Sequence, residues 1–493
     1  MPNPRTLRAA VWSRLPRFRM LLLIGVIGLP VAGIAQGTGK VITKQYENGG
    51  VYEGTFVNGK QDGRGVYRLP NGYEYDGEWV GGEIRGQGTA RYPNGSVYVG
   101  SFALGKPDGT GKMTFADGGT YEGDWLGGQM TGNGAAQYAN GVSYRGGFLN
   151  ASHQGQGVME DGSGYRYDGA WVAGMKAGLG KATFPDGAIY EGMFQADQRA
   201  GAGRLTLLGG TSYEGVWTAG KLTGPGKLTQ PNGDTYDGDL VEGVKQGRGR
   251  ATYANGDTYE GEFAADQRQG KGTFRSKDGT LYVGDWQKGM MAGQGTITYP
   301  EASVYVGGFK AGQRDGKGRI RYPDGSSYDG LWTAGRIAGN GKITDVSGLV
   351  YIGENVGGVP QGKGTLTAPD GYSYAGDWTA GLRDGSGRAS YPDGTVYIGH
   401  FSKGLRDGVG SIEMTDGFRY FGQWVGGEMQ GNGTATYANG DIYVGAFKGG
   451  VRQGQGKLSF GTGEQVEGKW DNGELTEPAP SPEPSAEGAA AAP

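Results

Sequence analysis

The sequence has no cysteine, only two histidines and one long apolar run in 493 residues, whereas 107 residues are glycine. No disulfide framework or thiol chemistry is therefore available, and two histidines leave little material for a catalytic or metal-binding cluster. The absence of cysteine suits an oxidising compartment without proving one. With so much glycine, an ordinary multi-domain enzyme is a poor first description, and the composition indicates repetition.

The single long apolar run lies near the start of the chain. Residues 1–35 contain five arginines and no acidic residue, and they end in MLLLIGVIGLPVAGIA. This run is shorter than the roughly 20 apolar residues of a spanning helix, and the small residues Gly33 and Ala35 stand where a signal peptidase reads. We therefore expect a signal peptide cleaved after Ala35 and a periplasmic or otherwise extracytoplasmic protein. An uncleaved, membrane-associated anchor is the alternative.

The charge of the chain argues against general binding of nucleic acids. The formal net charge is −3, and removal of five arginines gives −3 − 5 = −8. A mildly acidic protein lacks the basic surface that phosphate backbones require. The other end of the chain, TEPAPSPEPSAEGAAAAP (residues 476–493), has no apolar pattern, so we expect it to be disordered.

Between these ends, over residues 36–475, one unit of 23 residues repeats. Tyrosines occur at positions 52, 75, 98, 121, 144, 167, 190, 213, 236, 259, 282, 305, 328, 351, 374, 397, 420 and 443, every interval being 23. Each unit reads Tyr-x-Gly-x-aromatic, then a glycine-rich stretch ending in Gly-x-Gly, then a short segment before YPDG, YPNG or YANG. Period-two alternation and the Pro-Asp-Gly turns predict one β-hairpin per unit, stacked on its neighbours.

The repeated unit resembles the MORN repeat. YEGTFVNGKQDGRG (52–65), YEGDWLGGQMTGNG (121–134) and YDGLWTAGRIAGNG (328–341) follow its pattern, Tyr-Glu-Gly-x-Trp/Phe-x-x-Gly-x-x-x-Gly-x-Gly, and the match covers about residues 37–475. The resemblance implies an all-β fold, an elongated, twisted antiparallel sheet of repeated hairpins. It also implies a protein without enzymatic activity or cofactor, used for protein association and for phospholipid contact. KVITKQYENG (40–49) and QVEGKWDNGE (465–474) are expected to close the two ends as half units.

Covariation between the strands predicts a register. Where the first strand carries tryptophan, the apolar residue 11 positions later is often alanine, as in Trp79 with Ala90. Such a large–small pair is typical of cross-strand neighbours. The same register places Gly77 opposite Tyr92, whose ring would cover the glycine backbone.

Two sets of residues are candidate binding surfaces. The first is basic and is expected to lie in the hairpin loops on one long edge, where it would meet anionic headgroups or an acidic partner, or simply be solvated. Its members are Lys60, Arg85, Lys106, Lys176, Arg199, Lys221, Lys245, Arg268, Arg314, Arg336, Arg383, Arg406 and Arg452.

The second set directly follows the motif tyrosines. In the first ten units nine of these residues are charged, whereas from Tyr282 onward seven of eight are apolar. β-propensity would act equally on both halves, so the asymmetry indicates a covered surface. The candidate partner-binding residues are Val283, Val306, Ile352, Ile398, Phe421 and Val444, with Ala375 as the seventh.

No constellation in the array indicates catalysis. His153 and His400 are more than ten units apart and cannot meet in an extended sheet. We therefore expect an exported, non-enzymatic scaffold that binds protein, itself or another, through its C-terminal half. The alternatives are an envelope phospholipid or glycan binder that uses the basic edge and aromatics, and an exported glycan-active enzyme.

Overall fold

A computed structural model describes residues 40–480, and within that range every assigned element is a β-strand. No helix of the described range is long and apolar enough to cross a membrane. The chain divides between Gln129 and Met130 into two compact units. The expected signal peptide and most of the expected disordered tail lie outside the described residues.

The first unit contains eight strands. They are β1 (Ile42–Gln45), β2 (Val51–Val57), β3 (Lys60–Arg68), β4 (Glu74–Val80), β5 (Glu83–Arg91), β6 (Val97–Ala103), β7 (Lys106–Thr114) and β8 (Thr120–Leu126). Each strand pairs antiparallel with the strand before it and the strand after it, from β1 to β8. At the start of the array, where a half unit is expected, β1 forms a single strand against β2.

The second unit contains β9 to β39, of which β9 begins one residue before the dividing point. The strands are β9 (Gln129–Gln137), β10 (Ser143–Leu149), β11 (Ser152–Glu160), β12 (Arg166–Val172), β13 (Met175–Thr183), β14 (Ile189–Gln195), β15 (Gln198–Thr206), β16 (Ser212–Thr218), β17 (Lys221–Thr229), β18 (Thr235–Val241), β19 (Val244–Thr252), β20 (Thr258–Ala264), β21 (Gln267–Arg275), β22 (Leu281–Gln287), β23 (Met290–Thr298), β24 (Val304–Lys310), β25 (Gln313–Arg321), β26 (Ser327–Thr333), β27 (Arg336–Thr344), β28 (Val350–Val356), β29 (Val359–Thr367), β30 (Ser373–Thr379), β31 (Leu382–Ser390), β32 (Val396–Ser402), β33 (Leu405–Glu413), β34 (Arg419–Val425), β35 (Glu428–Thr436), β36 (Ile442–Lys448), β37 (Val451–Ser459), β38 (Gln465–Asp471) and β39 (Glu474–Pro478). They too pair antiparallel in chain order, so the predicted all-β fold of repeated hairpins is confirmed.

Each hairpin closes through a two-residue turn directly after its first strand. In β4–β5, Val80 pairs with Glu83, and the turn residues Gly81 and Gly82 have φ values of 62° and 98°. Two consecutive positive φ angles are those of a type I′ turn, which strongly favours glycine. The second strand therefore starts earlier than the sequence suggested, and the residues expected in a loop belong to a strand.

The early turn makes the predicted register wrong. Trp79 pairs with Ile84 rather than with Ala90, and Ala90 lies opposite Tyr75. Gly77 pairs with Gly88, not with Tyr92. The Trp–Ala covariation therefore does not indicate a direct cross-strand pair.

Tyrosine, glycine and an aromatic residue alternate along one face, and this aromatic face forms the core. Tyr98 is fully buried because its ring lies over the paired glycines, so a methyl group added to Gly111 would lie 2.2 Å from the Tyr98 hydroxyl oxygen. The hydroxyl donates a hydrogen bond to the Ser101 carbonyl at 3.0 Å, and the ring meets Trp125 edge-on at 5.1 Å. A single sheet therefore builds a core from side chains that lie flat on their own glycines.

Where a hairpin carries a tryptophan, the indole group connects it to the hairpin before it. The indole N–H of Trp332, for example, donates to the Gly318 carbonyl of the preceding hairpin at 3.0 Å. Two units depart from the aromatic pattern, with Leu240 and Asn355 in the same slot, 0% and 1% exposed. Asn355 donates to the Gly339 carbonyl at 2.8 Å, but its buried Oδ1 has no hydrogen-bond partner.

At the C-terminal end of the array the last described strand pairs on one side. β39 pairs with β38 and runs to Pro478, three residues beyond the expected boundary at 475. The Thr476 hydroxyl donates to the Lys469 carbonyl at 3.0 Å, which extends the pairing into the segment expected to be disordered.

Candidate interaction surface

The residue after each motif tyrosine points away from the aromatic face. Val283 is 47% exposed, whereas the adjacent Tyr282 is 1% exposed. Alternate residues of a strand point to opposite sides, so these positions and their partners form one row across the exposed face. The predicted orientation of the candidate partner-binding residues is therefore confirmed.

In the first half of the second unit this row is a ladder of alternating charge. Read across β12 to β20, its members are Asp168, Lys181, Glu191, Arg204, Glu214, Lys227, Asp237, Arg250 and Glu260. Directly opposed unlike charges attract, as where the Lys181 ammonium lies 2.9 Å from the Glu191 carboxylate. Because such exposed pairs are satisfied in water, this half of the row has little to gain from being covered.

From β21 onward the same row becomes apolar and β-branched. Val283 lies between Thr273 and Thr296, and Phe421 lies between Ser411 and Thr434. We call the apolar members the C-terminal stripe, and their exposed fractions are 47% for Val283, 54% for Val306, 56% for Ile352, 49% for Ile398, 61% for Phe421 and 53% for Val444. Side chains that would gain from burial therefore remain in contact with solvent.

Charged residues divide the stripe into two patches. Between Val306 and Ile352 the row contains Arg319, Asp329 and Lys342, which are directly paired across β25 to β27. The larger patch runs from Ile352 to Val444, interrupted on this row by Arg388. The stripe looks continuous when only the residues after the tyrosines are considered, because the charged residues that divide it include partners on the intervening strands.

Two depressions mark the exposed face along this row. A groove of about 970 Å³ lies where the charge ladder passes into the stripe, lined by Arg250, Glu260, Thr273 and Val283 among others. A smaller depression of about 320 Å³ is lined by Ile398, Phe421 and their neighbours. Concave, partly apolar surfaces of this kind accommodate side chains of a partner.

The basic residues do not form a loop edge, and their predicted placement is wrong. All thirteen lie in strands, because the hairpin turns fall before them. Eight occupy the second position of a strand and reach back over the aromatic face, namely Lys176, Arg199, Lys245, Arg268, Arg314, Arg383, Arg406 and Arg452. Arg314 is typical, since its guanidinium lies 4.1 Å from the Trp332 ring centroid and donates to the Gly335 carbonyl at 2.9 Å.

The six arginines of this set join consecutive hairpins, whereas Lys176 and Lys245 lie over Tyr167 and Tyr236 of their own hairpins. Most of the predicted anion-binding edge therefore has a structural role. Partial burial lowers the pKa of the Arg199 guanidinium, and its contacts with Trp217 and the Gly220 carbonyl offset the lost hydration. The other five basic residues are exposed, and they are Lys60, Arg85, Lys106, Lys221 and Arg336. Contact of those five with anionic headgroups stays a prediction.

The two histidines lie in different environments. His153 stacks on Tyr144 with ring centroids 3.6 Å apart, and its Nε2 lies 2.7 Å from the Tyr138 hydroxyl. Burial lowers the pKa of His153 to about 4. His400 lies on the exposed face opposite Ser386. Residues 40–480 hold no group of three His, Asp or Glu side chains that could bind a metal ion.

The sequence analysis missed one exposed apolar surface. Five large side chains near the turns of β12 to β16 are exposed, and we call them the loop-edge patch: Val172, Met175, Leu179, Met193 and Val216. They fall at four positions of the repeat, and the position of Val172 is often apolar in other units too. The signal is therefore spread over several positions and is not visible at any single one.

The repeated hairpin, with its Tyr-Gly-aromatic face and type I′ turn, corresponds to a known family. The MORN repeat model matches seventeen segments, residues 52–72, 75–97, 98–120, 121–143, 167–189, 190–211, 213–235, 236–258, 259–281, 282–303, 305–327, 328–350, 351–371, 374–396, 397–419, 420–442 and 443–465. The chain belongs to the MORN-repeat family. MORN repeats generally bind proteins or membranes and form non-enzymatic scaffolds. The unit from 144 to 166, which contains His153, is the one full repeat of the array that the model leaves unmatched.

Comparison of this MORN array with curated proteins finds no significant match. Among solved structures it is similar to the TCP domain of Drosophila melanogaster SAS-4 in complex with a proline-rich motif of Ana2, at 14% identity and a TM-score of 0.20, covering 40% of this chain and 88% of that one. A virginiamycin B lyase from Staphylococcus aureus is also similar, at 10% identity and a TM-score of 0.11, covering 50% of this chain and 85% of that one. Similarities at these TM-scores carry no argument about function.

Proposed function

We propose that this MORN-repeat protein is a scaffold that binds protein through the exposed face of its sheet, most simply a second copy of itself through the C-terminal stripe. The observation that supports the proposal is the change of one row from a satisfied charge ladder to exposed apolar side chains. The tyrosines and tryptophans of the aromatic face are buried and form the core of the fold. The exposed face is therefore the surface whose side chains remain free to contact a partner.

The free energy gained by burying the stripe sets the strength of the association. Fully burying a Val, Ile or Phe side chain stabilises by about 1.5–3 kcal/mol, so six of them contribute on the order of 10 kcal/mol. Association itself costs about 4–15 kcal/mol, so the surplus is small and we expect moderate, concentration-dependent binding. A two-fold dimer uses the same patch on both chains, which favours antiparallel pairing of two C-terminal halves.

Sedimentation tests this proposal on the protein isolated from cells that express it. The triple variant Ile352→Asp, Ile398→Asp and Phe421→Asp should keep the fold and sediment as a monomer, because it places charges in the interface. A matched control carries Asp at Val356, Leu405 and Val425, which are equally exposed apolar residues near the turns of neighbouring strands. The control should still associate. Wild-type protein that stays monomeric at high concentration would show that the partner, if any, is foreign.

We also infer that the protein is exported, which the sequence of residues 1–35 supports. The isolated protein should then begin at Gln36. Intact Met1 on a soluble cytoplasmic protein would contradict export.

A further inference from the structure

The loop-edge patch lies on the exposed face where the stripe row carries charges. Val172 pairs with Met175 across one turn, and Leu179 pairs with Met193 across neighbouring hairpins. Leu179 is 71% exposed and Val172 is 53% exposed. An apolar centre bordered by the charge ladder has the anatomy of a protein interface.

A cleft of about 480 Å³ opens within the patch. Its walls are the side chains of Val172, Met175 and Met193, together with Ala177 and Ala196, and carbon atoms dominate its surface. Methionine is unbranched and polarizable, so two of them make a surface that adapts to differently shaped apolar groups.

Two capping side chains are missing beside the cleft. In regular units the third residue of the second strand reaches the turn of the next hairpin. The Gln154 side-chain oxygen accepts from the Ala173 amide at 3.0 Å, and Gln246 accepts from the Ala265 amide at 3.1 Å. The units of the patch carry Ala177 and Ala200 at this position.

Two backbone amides consequently lack a cap from the protein. They are those of Ala196 and Ala219, each the first residue of an exposed turn, and neither donates a hydrogen bond to another described residue. One repeat separates them, and two strands at about 4.8 Å place equivalent positions about 10 Å apart. The cleft thus combines an apolar surface with the Ala196 donor in its lining, and the Ala219 donor lies one repeat further along the sheet, outside that lining.

We propose that this cleft binds a proline-rich segment of a partner protein in the polyproline II conformation, whose oxygens supply the two missing caps while its apolar side chains cover Met175 and Met193. The spacing favours this conformation. A polyproline II helix has three residues per turn and rises about 3.1 Å per residue, so side chains three positions apart lie on one side about 9.3 Å apart. An acidic residue at every third position would face both amides.

The regularity of this conformation favours the same occupant, because three residues per turn place every third carboxylate on the side that faces the two amides. Such a segment is also ordered before binding and loses little entropy. The proposal extends the scaffold function to a second surface, and it can fail or succeed independently of the C-terminal stripe.

The test restores the caps within the chain. The double variant Ala177→Gln and Ala200→Gln introduces the residue found at Gln154 and Gln246, and it should raise the thermal midpoint. The probe is the labelled peptide acetyl-(Pro-Leu-Glu)₃-amide, measured by fluorescence anisotropy. We expect wild-type protein to bind this probe and the double variant to bind it at least tenfold more weakly, because the caps and the cleft are filled.

A matched control separates binding from stability. Ala292 occupies the same position in a unit outside the patch and faces the turn that begins at Ala311, so Ala292→Gln should stabilise the fold and leave probe affinity unchanged. A peptide with lysine in place of glutamate should bind at least tenfold more weakly. Absence of probe binding to wild-type protein, an equal loss of affinity in the double variant and in Ala292→Gln, or equal binding of the lysine peptide would each overturn the proposal. The stripe triple variant should bind the probe like wild-type protein.

Discussion

Replacement of Arg314 by methionine should open the junction between two consecutive hairpins. The guanidinium lies over the Trp332 ring at 4.1 Å from its centroid, and it donates to the Gly335 carbonyl of the next turn at 2.9 Å. Methionine keeps most of the aliphatic contact but has neither the charge nor the donor. The perturbation therefore isolates the two interactions that join the hairpins.

The expected cost follows from these two contacts. A partly buried cation–π contact stabilises by about 0.5–2 kcal/mol, and a hydrogen bond from a charged donor by about 1.5–3 kcal/mol. The Gly335 carbonyl lies in a turn that water can reach, so part of the hydrogen bond is recovered in the variant. We expect a net loss of about 1–3 kcal/mol.

Hydrogen exchange read by mass spectrometry is the appropriate assay, because repeat arrays open locally rather than as one cooperative unit. Amides of β24 to β27 should exchange faster in the variant, whereas those of β36 to β39 should not change. Arg336→Met is the control, since Arg336 is exposed at the start of its strand and should change stability by less than about 0.5 kcal/mol. Equal effects of the two substitutions would refute the assigned role of Arg314.

Two further predictions concern the atypical units. Asn355→Leu should stabilise β26 to β29 by about 1 kcal/mol, because it removes a buried Oδ1 without a partner and installs the residue that fills the same slot at Leu240; faster hydrogen exchange there would contradict this. Burial lowers the folded-state pKa of His153 to about 4 from an unfolded value of about 6.5, so the unfolded state binds the proton more readily. The stability that this residue contributes is complete above about pH 6.5 and falls as the pH drops towards 4; exchange in β10 to β12, corrected for intrinsic rates, should show the loss by pH 5, and His153→Gln should abolish it.

The repeat length and the hairpins could be predicted from the sequence, because an uninterrupted period of 23 fixes the unit and its alternation fixes the face of each residue. The exposed position of Phe421 followed from the same alternation. Register could not be predicted, since it depends on which glycines form the turn. Gly81 and Gly82 close the hairpin, whereas the glycine-rich stretch after them allowed a later turn equally well.

The contacts of the arginines with the aromatic face could not be predicted, for the same reason. Once the turn is placed two residues after Trp332, Arg336 starts the next strand, and the second position of each such strand lies over a ring of the aromatic face. The sequence shows a basic residue in a variable segment and does not show which ring lies beneath it. The cleft in the loop-edge patch could not be predicted either. Ala177 and Ala196 line it from different hairpins, and only the strand register brings them together.

Hydroxyl-radical footprinting as a function of protein concentration tests the central claim, that the exposed C-terminal face is an interaction surface, most directly. The account predicts that oxidation of Phe421 and Ile398 falls as the wild-type protein is concentrated, while that of Val356, which is 70% exposed near a turn, stays constant. Constant oxidation of all three side chains over the whole concentration range would contradict self-association through the stripe.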